Sequence, residues 1–208
     1  ARPQYCQYLG LSYEKSFYDD LFSLSVDLYG KRLYNQIEYK GDMLDLFMTE
    51  YDLEKYLLKG KGWNYGLNVN VHKRSGKLTG WVSYSLGRSL RSFDNPEYPS
   101  IYPANHERIH ELNTVCSYES GKWVFSGSFV YASGLPFTAP ESFYLSSGKI
   151  ITLYGEHNAE RMRPYIRLDV SVDYTLSRKE SHESGLNLSV HNVLARDNEV
   201  MYRLYINT

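Results

Sequence analysis

The feature that most constrains this chain is a nearly strict alternation of apolar and polar residues in RPYIRLDVSVDYTL, residues 163 to 176. Successive side chains of a β-strand point to opposite faces, so the pattern predicts a strand with two unlike faces. The apolar face carries Ile166, Leu168, Val170, Val172, Tyr174 and Leu176, and the polar face carries Arg167, Asp169, Ser171, Asp173 and Thr175. The two environments are either a protein core and bulk water, or membrane hydrocarbon and a hydrated barrel interior.

Similar segments recur along the chain and predict an all-β fold of about nine strands, without a long amphipathic helix. Their approximate ranges are 5–13, 22–28, 65–72, 78–86, 108–119, 123–131, 163–176, 186–191 and 202–207. Several run past about ten residues, whereas strands of soluble proteins usually have about 5 to 6. Strand length therefore favours a membrane barrel.

The connections between these segments alternate in length. Four are short polar turns with hairpin chemistry, namely FYDD, RSGK, ESGK and SRKESHE. The intervening connections are long and span Lys40 to Gly62, Ser92 to Glu107 and Thr138 to Met162. In an up-and-down antiparallel sheet, alternate loops emerge at the same end, so all long loops share one end. Outer-membrane barrels have this asymmetry, with short periplasmic turns and long extracellular loops.

Composition excludes some classes of function. The 208 residues carry a formal net charge of -1, so no strong field favours nucleic acid. Mean hydropathy is -0.48, and no apolar run approaches the ~18 residues of a spanning helix, which excludes a helical membrane protein but not a barrel. The 21 tyrosines fit either a lipid–water boundary or ordinary strand packing. We interpret Cys6 and Cys116 as small apolar strand residues, and their pairing stays open.

His106, Glu107 and His110 form HERIH, which has the H-E-x-x-H spacing of zinc proteases. That site needs a helix, because residues four apart then stand about one turn from each other. Here the segment leaves a PAN loop and enters an alternating stretch. In an extended chain the two imidazoles would lie about 13 Å apart, so we predict no zinc site.

Other charged pairs are weaker candidates for chemistry. They are Asp19 with Asp20, Asp169 with Asp173, and Arg88 with Arg91. Paired carboxylates could serve glycoside hydrolysis, and paired arginines could bind an anion. A solvated strand face or strand end explains all of them without chemistry. We therefore predict no catalytic residue, metal or cofactor, and no enzyme.

Five patches of the chain share their wording with one protein family. In chain order they are LTGWVSYSLGRS (78–89), YPANHERIHELN (102–113), FVYASGLPFTAP (129–140), RMRPYIRLDVSVDY (161–174) and LSVHNVLARDN (188–198). They resemble L-T-G-W-x-S-Y-T-x-S-R-S, Y-P-x-x-x-D-R-x-H-x-L, F-V-Y-x-T-G-x-x-x-T-x-P, R-x-P-x-Y-H-R-L-D-x-S and S-x-x-N-V-x-x-R-x-N. These are motifs of TonB-dependent outer-membrane receptors, in the branch with a carboxypeptidase-regulatory-like domain ahead of the plug. The first sixty or so residues resemble that family more loosely.

The resemblance implies that residues 1–208 are the C-terminal portion of a receptor β-barrel, an antiparallel up-and-down transmembrane segment of about nine to ten strands out of about 22. The plug domain, signal peptide and final aromatic strand of such receptors are then expected outside this chain, whose start, ARPQYCQY, lacks a signal peptide's basic start and apolar core. We expect either that the signal peptide was removed or that the chain is an internal piece. The two edges of so partial a barrel would need further strands, because unpaired backbone groups in lipid are costly.

The function implied by the resemblance is TonB-dependent uptake of a siderophore, cobalamin-like compound, peptide or glycan across the outer membrane of a Gram-negative bacterium. The implied partners are outer-membrane lipid, the remaining barrel strands, the plug, the TonB complex and the transported ligand, and a surface lipoprotein is a further one that the resemblance allows. Loop aromatics could contact the ligand, and our candidates are Tyr98, Tyr102, Phe143, Tyr144 and Tyr154. Interfacial girdling would explain the loop-base tyrosines equally. The alternative is a soluble all-β carbohydrate-binding module that uses the same tyrosines as stacking platforms.

Overall fold

A computed structural model of the chain describes residues 3–39, 57–146, 149–179 and 182–199. Within these ranges, no helix is long and apolar enough to cross a membrane. The described strands are β1 (Tyr5–Phe17), β2 (Phe22–Tyr39), β3 (Leu57–Lys73), β4 (Leu78–Phe93), β5 (Tyr102–Pro103), β6 (His110–Ser120), β7 (Trp123–Ala132), β8 (Pro136–Phe137), β9 (Pro140–Ser146), β10 (Lys149–Tyr154), β11 (Glu160–Arg161), β12 (Tyr165–Lys179) and β13 (His182–Val190).

The long strands form one antiparallel sheet in the order β1, β2, β3, β4, β6, β7, β12, β13, and β5 pairs with β4. Each neighbour in this order is the next long strand along the chain. The two remaining pairs, β9 with β10 and β8 with β11, lie within the connection between β7 and β12. The predicted all-β, antiparallel, up-and-down arrangement is therefore confirmed. In the described part of the chain the border strands β1 and β13 do not pair with each other, so this sheet is open.

The strand register separates the side chains into two continuous faces. One face, here the aliphatic face, carries cross-strand rows such as Leu11, Leu28, Leu67 and Leu86, and Tyr13, Val26, Val69, Tyr84, Leu112, Tyr131 and Ile166. The other, here the polar face, carries rows such as Glu14, Ser25, Asn70, Ser83 and Asn113. The alternation in the sequence thus becomes a property of the whole sheet.

The described residues put no second layer of side chains over the aliphatic face. Leu9 is 80% exposed and Leu188 is 71% exposed, at opposite ends of the strand order. The buried apolar side chains of the described ranges are instead Phe93, Tyr102, Ala104 and Ala132. All four lie where the long loops meet the sheet, so the small core belongs to the loop end and not to a sandwich.

Short turns and long connections alternate as predicted, so all long connections leave the same end of the sheet. The turn between β6 and β7 has two residues and needs the left-handed φ of 62° at Gly121. The SRKESHE prediction was too long: β12 continues to Lys179 and β13 starts at His182. Cross-strand pairs such as Arg178 with Glu183 replace the expected turn.

The connection predicted over Thr138 to Met162 contains structure of its own. The β9–β10 hairpin occupies most of it, and β8 pairs with β11 at its base. The connection predicted over Lys40 to Gly62 is shorter on both sides, because β2 reaches Tyr39 and β3 starts at Leu57. The ninth predicted strand, 202–207, lies outside the described residues.

A bulge interrupts the pairing of β2 with β3. Leu33 lies opposite Gly62, whereas Gln36 lies opposite Gly60, so β2 uses one residue more than β3 over this interval. Asn35 takes a positive φ of 52° within the bulge. Its Nδ2 donates a hydrogen bond of 2.8 Å to the carbonyl of Pro3, which holds the bulge against the start of β1.

Candidate functional site

Two long connections meet at one end of the sheet and form the only extensively buried region of the described chain. Loop A is residues 94–109, between β4 and β6, and loop B is residues 133–164, between β7 and β12. They bring together the polar residues Asn95, Glu107 and Asn158, each 7% exposed or less. Buried polar groups need partners, so the contacts of these three residues explain how the loops are held.

Glu107 is the most buried of them, with a fully buried side chain. Its Oε2 lies 3.1 Å from Nε of Arg88 on β4, and its Oε1 contacts Nη2 of Arg161 on β11. Arg161 also donates a 3.1 Å hydrogen bond to the carbonyl of Gly134. One carboxylate therefore joins the sheet, loop A and both ends of loop B.

Glu107 also replaces a missing backbone partner of β4. Loop A runs beside β4, where the amide of Ala104 donates to the carbonyl of Ser89 and the amide of Gly87 donates to the carbonyl of Ile109. Between these two ladder bonds, the amide of Ser89 donates to Oε2 of Glu107 at 2.7 Å. Since the group in the position of a strand carbonyl is a charged carboxylate, this hydrogen bond is of the stronger kind.

Asn158 forms a second connection between the loops. Its Nδ2 donates to the carbonyl of Pro103 at 2.8 Å and to Oδ1 of Asn105 at 2.5 Å. Its own amide donates to Oγ1 of Thr138 at 3.1 Å. Asn158 has a positive φ of 57°, a conformation that asparagine tolerates better than most residues. Loops A and B are thus fixed to each other at two independent points.

Three aromatic rings pack where the loops touch. Tyr98 of loop A stacks on His157 of loop B, with ring centres 4.0 Å apart and planes 9° apart. Tyr102 meets both rings edge-on, at 5.4 Å from Tyr98 and 4.7 Å from His157. The Tyr102 hydroxyl donates to Oε2 of Glu38 at 3.0 Å. Burial and the neighbouring Glu38 carboxylate raise the pKa of Tyr102 above its ordinary value.

The five aromatic residues predicted to contact a ligand occupy different positions. Tyr102 is 2% exposed and its hydroxyl is occupied, so the structure gives it a packing position beside Tyr98. Phe143, Tyr144 and Tyr154 lie on the β9–β10 hairpin and are 46%, 48% and 61% exposed. The first two are consecutive strand residues and therefore point to opposite faces of the hairpin. The structure brings only Tyr98 and Tyr102 into contact, and the hairpin aromatics present a separate surface.

The polar face carries a hollow of about 430 Å³ directly below loop A. Its lining includes the cations Lys31, Arg88 and Arg108, with Glu107 and Glu111 as acids. Lys31 lies over the rings of Tyr8 and Tyr29, 5.5 Å and 5.7 Å from their centres. The Tyr29 hydroxyl in turn covers Gly66 and Gly87 across the next two strands. This hollow is polar and open toward the interior side of the sheet, which suits a hydrated ligand.

The HERIH histidines have different partners. His106 lies 3.3 Å from the Ser89 hydroxyl, and its pKa is lowered by burial and by the nearby Arg91. His110 lies on the aliphatic face, 2.8 Å from the Tyr84 hydroxyl. Among the described residues, no group of three His, Cys, Asp or Glu side chains could hold a metal ion. The Glu between them is the buried loop anchor, a role that sequence reasoning missed.

The other charged candidates also have structural partners. Asp169 accepts two hydrogen bonds from Nε of Arg167 at 2.9 and 3.0 Å and one from the amide of Asn192 at 2.7 Å. Asp173 accepts a hydrogen bond from Asn187 on β13 at 2.6 Å. Arg91 donates to Oδ1 of Asn64 at 2.9 Å. These contacts hold neighbouring strands and turns together.

The segment after β13 is held along β12 by side chains. Asn198 donates to the carbonyl of Ile166 and accepts from its amide, both at 3.0 Å, so its carboxamide imitates a strand neighbour. Arg196 donates to the carbonyl of Pro164 at 3.1 Å, and Asn192 donates to the carbonyl of Arg196 at 3.2 Å. The fixed positions of the S-x-x-N-V-x-x-R-x-N pattern therefore coincide with residues that bind backbone.

No family model and no curated protein matches the chain. Among solved structures, it resembles the ferripyoverdine receptor of the outer membrane of Pseudomonas aeruginosa bound to ferripyoverdine, with a TM-score of 0.60 and 13% identity over 93% of this chain and 24% of that chain. FpvA of P. aeruginosa bound to a heterologous pyoverdine with iron gives a TM-score of 0.61 and 13% identity, over 94% and 24% of the two chains. The chain spans about a quarter of the length of these receptors. At this identity the likeness shows the fold: an antiparallel sheet that matches part of a TonB-dependent receptor barrel.

Proposed function

We propose that this chain forms part of the β-barrel wall of a TonB-dependent outer-membrane receptor, and that the whole receptor takes up a nutrient by active transport. The observation that carries the proposal is the division of every long strand into one aliphatic and one polar side, in register across the sheet. An exposed aliphatic face suits lipid tails, and a polar face with charged hollows suits a hydrated interior.

The proposal assigns residues 1–208 to the C-terminal portion of the barrel, in the branch with a carboxypeptidase-regulatory-like domain. Further strands would pair with the two border strands, and a plug domain would fill the interior. The fold likeness to siderophore receptors supports transport in general. The nutrient stays open among a siderophore, cobalamin-like compound, peptide and glycan.

On this reading the long loops face the cell exterior and meet the nutrient first. Tyr98, Phe143, Tyr144 and Tyr154 would supply stacking surfaces, with Tyr102 holding Tyr98 from beneath. The stacked pair of Tyr98 and His157 also carries a buried Nε2 on His157 that has no hydrogen-bond partner among the described residues. A ligand or water could supply that partner.

The soluble carbohydrate-binding module predicts that protein or water accounts for both faces. It draws no support from the exposure of Leu9, Leu11 and Leu188 on the aliphatic face. A monomeric soluble protein rarely exposes so continuous an apolar surface.

The proposal is tested by expressing the gene in its own host, fractionating the membranes and comparing two neighbouring substitutions. Val69→Arg puts a cation on the aliphatic face, where a midplane position costs about 2–4 kcal/mol, and Asn68→Arg puts one on the polar face. We expect the parent protein and Asn68→Arg in the detergent-extracted outer-membrane fraction, and a strongly reduced amount of Val69→Arg. A parent protein that stays folded and dispersed without detergent would support the soluble module and contradict transport.

A further inference from the structure

The aliphatic face has a hollow of about 660 Å³ near the loop end of the first four strands. Six apolar or aromatic side chains of this face surround it, namely Leu9, Leu11, Leu28, Tyr65, Leu67 and Leu86. Its size falls in the range of about 300–1,000 Å³ typical of small-molecule sites. A smooth barrel surface in fluid lipid does not require such a hollow, so its lining and surroundings are informative.

The hollow exists because one row of the aliphatic face lacks a side chain. Leu9, Gly30 and Tyr65 lie opposite one another on β1, β2 and β3. A Cβ built on Gly30 would meet no atom within 4 Å, whereas its neighbours Leu9 and Tyr65 stand out on either side. The gap therefore runs between two rows of leucines and a tyrosine, and it opens along the strands toward the loop end.

Basic and aromatic side chains follow directly above the hollow. Arg32 is two residues beyond Gly30 on the same face and lies opposite Trp63. Lys61 is two residues beyond Trp63 and is exposed. The Arg32 guanidinium lies 5.1 Å from the ring centre of Tyr34, which stacks on Tyr5 at 4.6 Å. Aromatic and basic residues together are typical of the membrane interface.

The charges above the hollow are specific to this face. Lys31 and Arg32 are consecutive in β2, so they point to opposite faces, and Lys31 lies over Tyr8 and Tyr29 on the polar face. Arg88 ends the row of Gly30 and Tyr65 on β4, although its Nε is engaged by Glu107. Two exposed cations, Arg32 and Lys61, therefore remain beside an apolar groove at the level of the interface.

We propose that this hollow binds one membrane lipid with a phosphate headgroup, its acyl chain along Gly30 and its phosphate at Arg32 and Lys61. The inference rests on the proposed function, because it needs the aliphatic face to lie in the membrane. A lipid satisfies both halves of the site at once: the apolar groove takes a chain, and the adjacent cations take an anion. A protein partner would need apolar surface without an excess of one charge sign, and free phosphate would leave the groove empty.

The test is native mass spectrometry of the detergent-purified receptor with dioleoyl phosphatidylglycerol or dioleoyl phosphatidylcholine. The charge variant is Arg32→Gln with Lys61→Gln, and its control is Lys31→Gln on the polar face. The groove variant is Gly30→Leu, and its control is Gly127→Leu on the same face, where a Cβ meets only ordinary contacts at 3.7 and 3.9 Å. Only variants that reach the outer membrane at the parent level are compared, so a failure of insertion counts against the proposed function and not against this inference.

We expect the parent protein to retain phosphatidylglycerol in preference to phosphatidylcholine, and the preference to fall roughly fivefold for each basic residue removed. Gly30→Leu should lower retention of both lipids, while Lys31→Gln and Gly127→Leu should match the parent. Equal retention of the two lipids by the parent overturns the inference. So does an equal loss in Lys31→Gln, or a second protein copy in place of lipid on the parent receptor that Gly30→Leu releases.

Discussion

Oε2 of Glu107 lies 2.7 Å from the backbone nitrogen of Ser89, so a side chain of loop A completes the hydrogen-bond ladder of β4. The same carboxylate neutralises Arg88 and Arg161, which come from different parts of the chain. Attachment of the long loops to the barrel wall therefore depends on one buried charge.

Replacing Glu107 with alanine should destabilise the loop end by about 3–5 kcal/mol, because it leaves two cations and one amide without their partner. Glu107→Gln keeps an acceptor for Ser89 and should cost less. The measurement is the urea midpoint of the refolded protein in detergent. The control is Glu111→Gln, whose carboxylate is 45% exposed and lies 3.8 Å from Arg108, and which should change stability by about 0–1 kcal/mol. Equal effects at the two positions would contradict the assignment.

Acidification should loosen the contact between the two loops. Burial lowers the pKa of His157 from its ordinary 6.5, so the unfolded chain takes up this proton more readily than the folded one. Stability from this group is complete well above pH 6.5 and is lost as the pH falls below it. The measurement is hydrogen exchange of residues 94–103 at neutral and mildly acidic pH, corrected for the intrinsic exchange rate.

The matched variant for this pH effect is His157→Phe, which keeps an aromatic ring against Tyr98 but does not titrate. Its exchange in residues 94–103 should show no pH dependence after correction. An unchanged pH dependence in this variant would assign the effect to another group.

Gly134 should tolerate no side chain. A Cβ there would lie 1.7 Å from the carbonyl oxygen of Met162, because β8 and β11 approach closely at the base of loop B. Gly134→Ala should therefore cost at least about 1–3 kcal/mol and separate the two strands. Gly30→Ala, whose Cβ meets nothing within 4 Å, is the control and should leave the thermal midpoint nearly unchanged. A Gly134→Ala protein as stable as the control would refute this close approach.

Asn198→Ala should release the segment that follows β13. Both the amide and the carbonyl of Ile166 then lose a partner, at a cost of about 1–3 kcal/mol. Exchange of the Ile166 amide, followed by NMR in detergent, should become faster. Asp197→Ala, at the adjacent exposed position, should leave that rate unchanged, and similar rates in both variants would mean that Asn198 does not hold the segment.

The two free cysteines provide a test of the faces without new cysteines. Cys6 shares the polar face with Tyr8 and Ser12, and Cys116 lies on the aliphatic face between Gly80 and Gly127. Each is spin-labelled in the protein in which the other is replaced by serine. In lipid bilayers, the Cys116 label should collide mainly with dissolved oxygen and the Cys6 label mainly with a water-soluble nickel chelate. Equal access of the chelate to both labels would contradict the assignment of the faces.

The fold was largely predictable because its information is local. Alternation in stretches such as 78–86 and 163–176 sets which side chains share a face, and hairpin turns such as ESGK set the order of the strands. The β9–β10 hairpin was missed, although SFYL and IITLY alternate on either side of SSGK. Its signal was hidden within a connection that was interpreted as one loop.

The candidate site was less predictable because it depends on contacts distant in sequence. Glu107 meets Arg161, which is 54 residues away, and no spacing rule connects them. Tyr102 looked like an exposed loop tyrosine because it lies among prolines, yet Glu38, 64 residues away, accepts its hydrogen bond. The patches that resemble the receptor family do contain Arg88, Glu107 and Arg161, so their recurrence was the available signal.

The extra residue in β2 has a consequence for polarity beyond the bulge. Before it, odd-numbered residues of β2 point inward; after it the parity is inverted, since Gln36 aligns with Gly60. Glu38 consequently turns toward Tyr102 and Ile37 turns outward beside Lys59. Deleting Asn35 would restore an unbroken period of two and, at a single stroke, carry a carboxylate to the outer surface and strand Tyr102 without its acceptor.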